Sequence, residues 1–175
     1  MNEIENANFN GSNDAINIVK VDCKEKREIL DKVYEADVAN RQDGFQGISK
    51  VVDQNNLELV YSLYEKCGIK LFDDLNDKQL LSIWLVIQHA SLHFRKEFYP
   101  IFESLTKQNK FDKTILVMME DRMLMDQSIP QKYGTQIQNE KLYKVDNIDS
   151  VNVRRERIGL DPLEEYLEEL NVKLE

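Results

Sequence analysis

Gln88 and His89 are polar residues that directly follow the most apolar stretch of the chain, LLSIWLVI at positions 80–87. At about 100° per residue they project among apolar neighbours of one helix, so both are expected to be at least partly buried. An imidazole titrates near neutral pH, which suits His89 to act as a general acid or base. The alternative is structural, with Gln88 bonding a carbonyl group and the imidazole satisfied by one acceptor.

Asp121 and Arg122 pose the same choice in a second apolar segment, KTILVMMEDRMLMDQ at positions 113–127. Arg122 falls in line with isoleucine and methionine side chains of that segment. Its guanidinium keeps its charge, so a buried Arg122 needs a carboxylate, several carbonyl groups or an anionic ligand opposite it. Otherwise the side chain extends past the methionines to solvent, or Glu120 and Asp121 provide a structural ion pair.

Asp37 and Arg41 form a third polar element, spaced four residues apart with the acid first. Such a pair stabilises the surface of a helix by about 0.2–0.5 kcal/mol, and an exposed ion pair is the ordinary interpretation. Asp37 also continues the apolar face of Ile29, Val33 and Ala36, however, which directs it inward. The spacing leaves both interpretations open.

Metal and cofactor motifs are not evident in the chain. His89 and His93 have a spacing that can place two imidazoles on one metal ion, but no third ligand stands at a diagnostic distance. There is no P-loop, dinucleotide fingerprint or nucleophile elbow. Cys23 and Cys67 lie far apart and outside any CxxC motif, so reduced thiols are expected. We predict no metal and no cofactor.

The stretch PQKYGTQIQ, positions 130–138, combines turn residues with tyrosine, threonine and three glutamines. Locally it indicates a turn, because Pro130 stops one element and Gly134 permits a reversal of the chain.

Helical periodicity dominates the elements that must position these residues. We predict an all-α, mainly helical fold: a single-domain bundle of about five or six helices with a short two-stranded hairpin after Pro130. Residues 1–15 are predicted to be a disordered N-terminal tail, and residues 16–175 a single helical domain. The predicted boundaries are a helix from about Lys24 to Arg41; one around Leu57 that Gly68 stops; one capped by Asn76 that runs to Pro100, where it kinks or ends; one capped by Asp112; a hairpin turn at Asn139-Glu140; a helix from Ser150 closed by Gly159; and a last helix with Asp161 as N-cap.

The net charge of −9 and the pI near 4.9 argue against a nucleic acid or an anionic membrane as partner. A small-molecule or peptide ligand fits better, and the oligomeric state is left open. The start of the chain lacks the basic and apolar regions of a secretory signal, and no apolar run of 18 residues exists. A soluble, cytoplasmic protein is therefore expected.

Five motifs follow one another along the chain: DVANR (37–41), IQHASLHF (87–94), EDRMLM (120–125), PQKYGTQ (130–136) and VNVRRERIGLDPLEEYL (151–167). In this order they resemble the bacterial proteins grouped as domain of unknown function 6624. The resemblance covers about residues 24–168. The sequence departs from the family pattern at Ser91, where Asp is common, and at Arg95, where Gln is common. The short segment before YGTQ usually carries a glycine in the family, whereas this chain has QSIPQ.

The resemblance implies that polar residues of separate helices and one loop belong to a single pocket. The matched positions are Asp37, Arg41, Gln88, His89, Asp121, Arg122, Gln131, Tyr133, Gly134, Thr135 and Gln136.

One hypothesis is a metal-independent hydrolase, lyase or group transferase acting on a small or anionic substrate. His89, Asp121, Arg122 and Tyr133 are then the catalytic residues, and the other matched residues bind the substrate. The alternative is a non-catalytic binding or immunity-like protein, in which the polar cluster fixes helix packing and an acidic surface meets a basic partner. The acidic candidates are Glu164, Glu165, Glu168 and Glu169, or Asp73, Asp74 and Asp77.

Overall fold

The computed structural model describes residues 16–42 and 48–172. These residues form seven α-helices and one short antiparallel hairpin, so the predicted all-α class is confirmed. The tail predicted for residues 1–15 lies outside the described residues, as do residues 43–47 and 173–175. The helices are α1 (Lys26–Arg41), α2 (Lys50–Cys67), α3 (Asp77–His89), α4 (Leu92–Lys107), α5 (Lys113–Asp126), α6 (Val151–Ile158) and α7 (Leu163–Glu169), and the strands are β1 (Ile137–Gln138) and β2 (Lys141–Leu142).

The chain divides into two compact units, Met1–Phe94 and Arg95–Glu175, and the boundary falls within α4. The predicted single domain over residues 16–175 stays a prediction. None of the helices in the described ranges combines the length and the apolar character needed to cross a bilayer.

The first unit is built on α1, α2 and α3, each of which packs against the other two. The most apolar stretch of the chain, positions 80–87, lies in α3, and its Ile83 and Ile87 are fully buried. Asn76 caps α3 as predicted: its side chain accepts from the Gln79 amide at 2.9 Å, while the Gln79 side chain accepts from the Asn76 amide at 3.2 Å. This capping box fixes where α3 begins, and therefore which residues face the core.

The two cysteines of the first unit are bonded to each other, so the expectation of reduced thiols is wrong. Cys23 lies in a 3₁₀ turn before α1, and Cys67 ends α2. The segment before Cys23 runs along α2, because the amide of Val19 donates to Ser62 Oγ at 2.9 Å and the side chain of Asn17 donates to Glu58 at 2.8 Å. Spacing along the chain could not reveal this pairing, which depends on α1 and α2 being antiparallel neighbours.

A break at Ala90 corrects the predicted helix from Asn76 to Pro100. Ala90 has an extended backbone (ψ −176°), so α3 ends at His89 and α4 begins at Leu92. Pro100 was expected to end or kink its helix. The helix does not end there, because α4 continues to Lys107. Proline has no backbone N–H group, so α4 lacks one internal hydrogen bond at Pro100 and continues without it.

The second unit contains the rest of α4 with α5, the hairpin, α6 and α7. Asp112 caps α5 as predicted, accepting from the Thr114 amide at 2.8 Å. The predicted hairpin is confirmed, and its turn residues Asn139 and Glu140 both have positive φ. Gly159 closes α6 in the left-handed conformation, whereas the N-cap of α7 is Pro162 and not Asp161. Val151, Leu163 and Leu167 form a buried cluster that joins α6 to α7, with Ile137, Leu142, Val145, Tyr166 and Val172 packed against it.

Candidate functional site

Asp37 is a buried carboxylate on the inner face of α1. Leu30 and Val33 precede it on the same face, at helical spacing, and both are buried. The packing of this face carries Asp37 inward, where its exposed fraction is only 2%. The inward alternative for Asp37 is therefore correct, and its ion pair with Arg41 forms away from solvent and not at an exposed helix surface.

Arg41 links two carboxylates that come from different helices. Its Nη1 donates to Asp37 Oδ1 at 2.7 Å, and its Nη2 donates to Asp53 Oδ1 at 2.9 Å. Asn40 adds a further hydrogen bond to Asp53 Oδ1 at 3.0 Å. Arg41 thus fixes the positions of Asp37 on α1 and Asp53 on α2 relative to each other.

The pKa of Asp37 is raised above its ordinary value. Burial is the largest cause, the positive charge of Arg41 opposes it, and the negative charge of Asp53 adds to the rise. A carboxyl group with a raised pKa exchanges its proton closer to neutral pH, which is a common property of catalytic carboxyl groups.

Asp37 lines a pocket of the first unit that also receives His89. The pocket is small and partly open to solvent, with a cavity volume of about 10 Å³. His89 is the last residue of α3 and its side chain is exposed, so the expectation that it is partly buried is wrong, whereas Gln88 is buried as expected. His89 stands at the C-terminal end of α3, where the extended backbone of Ala90 ends the helix. The lining residues are Asp37, Asp53, Asn56, Leu57, Val86, His89 and Ala90.

Asp53 and Asn56 are site residues that the sequence interpretation missed. They lie on α2 three residues apart, and Asn56 is 4% exposed. A signal was present: Asp53 and Asn56 stand four residues before Leu57 and Val60, which are buried on the same face of α2. Polar residues in line with an apolar stripe are directed at the core or at a pocket within it.

Asp121 organises the second group of predicted residues, which lies in the second unit. Its carboxylate is fully buried and accepts from the amides of Lys132 (2.7 Å), Tyr133 (3.1 Å) and Thr135 (3.1 Å). The Thr135 hydroxyl donates to it as well, at 3.0 Å. These four bonds occupy the acceptor sites of a carboxylate. Burial raises the pKa of Asp121, and the hydrogen bonds oppose that rise.

Gln131 and Gln136 tie this loop to its surroundings. The fully buried Gln131 accepts from the Gln136 amide at 2.8 Å and donates to the carbonyl oxygens of Gln136 and Tyr143 at 3.0 and 2.9 Å. Gln136 in turn donates to the Met118 carbonyl oxygen at 3.1 Å. Gln136 also donates to the Thr135 hydroxyl oxygen at 3.1 Å, and the other bonds of both glutamines join backbone groups, so their observed role is to hold the loop between α5 and the hairpin.

Tyr133 and Gly134 occupy the crest of the loop. The Tyr133 side chain is half-buried, and burial together with the negative charge of Glu120 raises the pKa of its hydroxyl. Gly134 has φ +72°, as expected for a residue that reverses the chain.

Arg155 supports the loop from α6 and was not predicted as a site residue. It is 1% exposed, its Nη1 donates to the Tyr133 carbonyl oxygen at 2.6 Å, and its Nε donates to the Asp161 carbonyl oxygen at 2.6 Å. Its guanidinium also lies over the ring of Tyr166, 4.9 Å from the centroid. The available signal was its position four residues after the buried Val151 on the same helical face.

The Arg122 side chain is neither buried nor fully exposed to solvent. Its side chain is 40% exposed, and its Nε lies 3.8 Å from Asp126 Oδ1, so Glu120 and Asp121 are not its ion-pair partners. Asp126 also pairs with the buried Arg95. One carboxylate therefore faces two guanidinium groups.

The structure thus places nine of the eleven predicted residues in two groups, each within one unit: Asp37, Arg41 and His89 with the pocket, and Asp121, Gln131, Tyr133, Gly134, Thr135 and Gln136 in the loop. Gln88 and Arg122 belong to neither group. The single pocket predicted to unite all motifs stays a prediction. Within residues 16–42 and 48–172, no three His, Cys, Asp or Glu side chains are arranged to hold a metal ion.

Comparison with family models matches residues 16–173 to a family of unknown function (DUF6624). No curated protein and no solved structure matches the chain.

Proposed function

The chain belongs to the family of unknown function DUF6624, and from the geometry of its first unit we propose an acid–base enzyme that acts on a small or anionic substrate without a cofactor. One observation carries the proposal: two titratable groups, Asp37 and His89, line the same pocket. Convergent polar groups within an apolar surround are typical of functional sites, and here Leu57 and Val86 supply apolar wall.

His89 is the proton-exchanging group of this proposal, because its imidazole is exposed at the pocket and can reach a bound substrate. Asp37 supplies a negative charge that stabilises the imidazolium formed when His89 takes a proton. Arg41 is a positioning residue, since its Nη1 and Nη2 hold Asp37 and Asp53. The reaction class is metal-independent hydrolysis, elimination or group transfer.

Residues of the second unit divide into two roles. Asp121 is a positioning residue, because its oxygens are committed to the loop that carries Tyr133 and Thr135. The catalytic roles predicted for Tyr133 and Arg122 stay predictions from the sequence, and the proposed proton transfer uses only groups of the first unit.

An NMR titration of the imidazole groups tests the pairing of Asp37 with His89. The chain has two histidines, so the signals of His89 and His93 can be assigned by single substitutions. In Asp37→Asn the His89 imidazole should lose its proton at lower pH than in the wild type, because a charge that stabilises the imidazolium is gone. Asp31→Asn, the same change on α1 at a residue outside the pocket lining, should leave the titration unaltered. A His89 titration that does not respond to Asp37→Asn contradicts the proposal.

A substrate screen tests the catalysis itself. Wild-type protein is incubated with ester, amide, phosphoester and β-elimination substrates, and turnover is followed by proton release. His89→Ala should keep the melting temperature within a few degrees and lower any turnover by about 10²–10⁴-fold, the usual contribution of a general acid or base. Turnover retained in His89→Ala would exclude His89 as the proton-exchanging group.

A binding module is the second candidate, and the closed network of the second unit favours it. All the acceptor sites of Asp121 are satisfied inside the protein, as in a buried network that only fixes packing. The exposed face of α7 then provides the acidic surface. Reversal of Glu165, Glu168 and Glu169 to Lys, which spares the Glu164 side chain bonded to Asn152, should abolish capture of a basic partner. Unchanged capture would remove this face from consideration.

The disulfide bears on the cellular location of the protein. A cytoplasmic location stays the prediction from sequence, whereas the bond between Cys23 and Cys67 favours an oxidising compartment, because the cytosol keeps thiols reduced. Thiol labelling of the protein in freshly lysed cells distinguishes the two locations.

A further inference from the structure

Asn56 presents a buried hydrogen-bond donor that nothing in the described part of the chain satisfies. The residue is 4% exposed and lines the pocket, and its Nδ2 has no hydrogen-bond partner. The Nε of Arg41 is a second buried donor that has no hydrogen-bond partner. Buried polar groups are nearly always paired with protein or ordered water, so this donor in a pocket wall marks a position for an acceptor, either a water molecule or a group of a ligand.

The same pocket offers acceptors through its two carboxylates. Asp37 and Asp53 each use Oδ1 to accept from Arg41, and within residues 16–42 and 48–172 no hydrogen bond reaches their Oδ2 atoms. The wall therefore combines one donor that needs an acceptor with carboxylate oxygens that can take a donor.

The charges of Asp37, Asp53 and Arg41 restrict the charge that a ligand of this pocket can carry. Two carboxylates face the single guanidinium of Arg41, so a ligand anion meets repulsion. A cation would suit Asp37 and Asp53 but would leave Asn56 Nδ2 unpaired, and an unpaired buried donor weakens binding. We infer that the pocket takes an uncharged group carrying an acceptor oxygen beside a hydrogen donor, of which a primary carboxamide is the simplest example. This inference rests on the proposed function, whose substrate class it narrows.

Three planar probes of nearly equal shape separate the candidates: acetamide has both acceptor and donor, acetate has acceptors only, and acetamidinium has donors and a positive charge. Each is titrated into the full-length protein, and amide chemical shifts of α2 and α3 residues give the affinity. Acetamide should bind about tenfold more tightly than acetate and acetamidinium, since each of the others leaves one side of the pocket unmatched. Equal or stronger binding of acetate or acetamidinium overturns the inference.

Asn56→Leu isolates the donor. Leucine is close in size to asparagine, so this variant should fold with unchanged or raised stability, because an unpaired buried donor is replaced by apolar atoms. It should lose the preference for acetamide, as should Asn56→Ala, which lacks the same donor and serves if leucine does not fit. Asn55→Leu, the same change at the exposed neighbouring residue, should bind acetamide like the wild type.

The outcome for the ligand is separable from the outcome for the enzyme. If acetamide binds Asn56→Leu as it binds the wild type, Asn56 holds only solvent and the inference fails, whatever the behaviour of His89. If the selectivity for acetamide is found but His89→Ala leaves turnover intact, the ligand class stands and the proposed catalysis fails.

Discussion

Gly134 and Leu163 lie so close together that a Cβ atom on residue 134 would stand 2.7 Å from Leu163 Cδ1. Leu163 is fully buried between Val151 and Leu167, so its side chain cannot move without disturbing that cluster. The crest of the loop therefore rests directly on the core that joins α6 to α7. A glycine is required there both for its positive φ and for the lack of a side chain.

Gly134→Ala should destabilise the protein by about 2–5 kcal/mol, the sum of a left-handed backbone penalty of about 1–2 kcal/mol and an overpacking penalty of about 1–3 kcal/mol. The matched control is Gly159→Ala: Gly159 has φ +86° but nothing within 4 Å of an added Cβ atom, so only the backbone penalty applies. Urea unfolding measures both variants. Equal losses would show that Leu163 adjusts without cost.

Asp121→Asn should destabilise the second unit by about 1–3 kcal/mol at neutral pH. The amide nitrogen that replaces one oxygen cannot accept from the donors of Lys132, Tyr133 and Thr135, so at least one buried N–H group loses its partner. Asp161→Asn is the control, because Asp161 is exposed. Hydrogen exchange of the Thr135 amide should accelerate in Asp121→Asn alone, and protected exchange in that variant would show that the loop does not depend on the carboxylate.

Local chemistry made much of the fold predictable. Asn76 and Asp112 cap their helices as expected, and the turn at Asn139-Glu140 forms the predicted hairpin, because each depends on neighbours within a few residues. The inward direction of Asp37 also follows from helical spacing alone. These features need no knowledge of how distant segments meet.

Features that depend on tertiary contacts were not predictable. The pairing of Cys23 with Cys67 requires α1 and α2 to lie side by side, and the break at Ala90 overrides a helical pattern that continues in the sequence. Arg155 was missed because its partners are backbone carbonyl groups, which leave no signature in side-chain composition. Asn56 carried a signal only through its register with the apolar face of α2.

Asp37 should make the stability of the first unit depend on pH. Burial raises its pKa in the folded state above the ordinary value of 3.8, so the folded protein holds this proton more tightly than the unfolded chain. The resulting stabilisation is fully present below about pH 3.8 and is lost as pH rises through the folded-state pKa.

Asp37→Asn should therefore remove the loss of stability that accompanies deprotonation of Asp37 as the pH rises. The difference in unfolding free energy, variant minus wild type, should increase as pH is raised from about 3.5 to 7, measured by urea unfolding. Asp31→Asn on the same helix is the control. A difference that decreases with pH would mean that the ion pair with Arg41 outweighs burial and lowers the pKa instead.

Reduction of the disulfide should destabilise the first unit. The bond between Cys23 and Cys67 closes a loop with a sequence separation of 44, and the loss of that constraint on the unfolded chain corresponds to about 4 kcal/mol. Trp84, the sole tryptophan of the chain, is buried in α3 and reports on this unit by its fluorescence. The midpoint of its urea transition should fall in the double variant Cys23→Ser, Cys67→Ser and in wild type under reductant, while reductant should have no effect on the variant. Two reactive thiols in unreduced, denatured wild-type protein would contradict the presence of the bond.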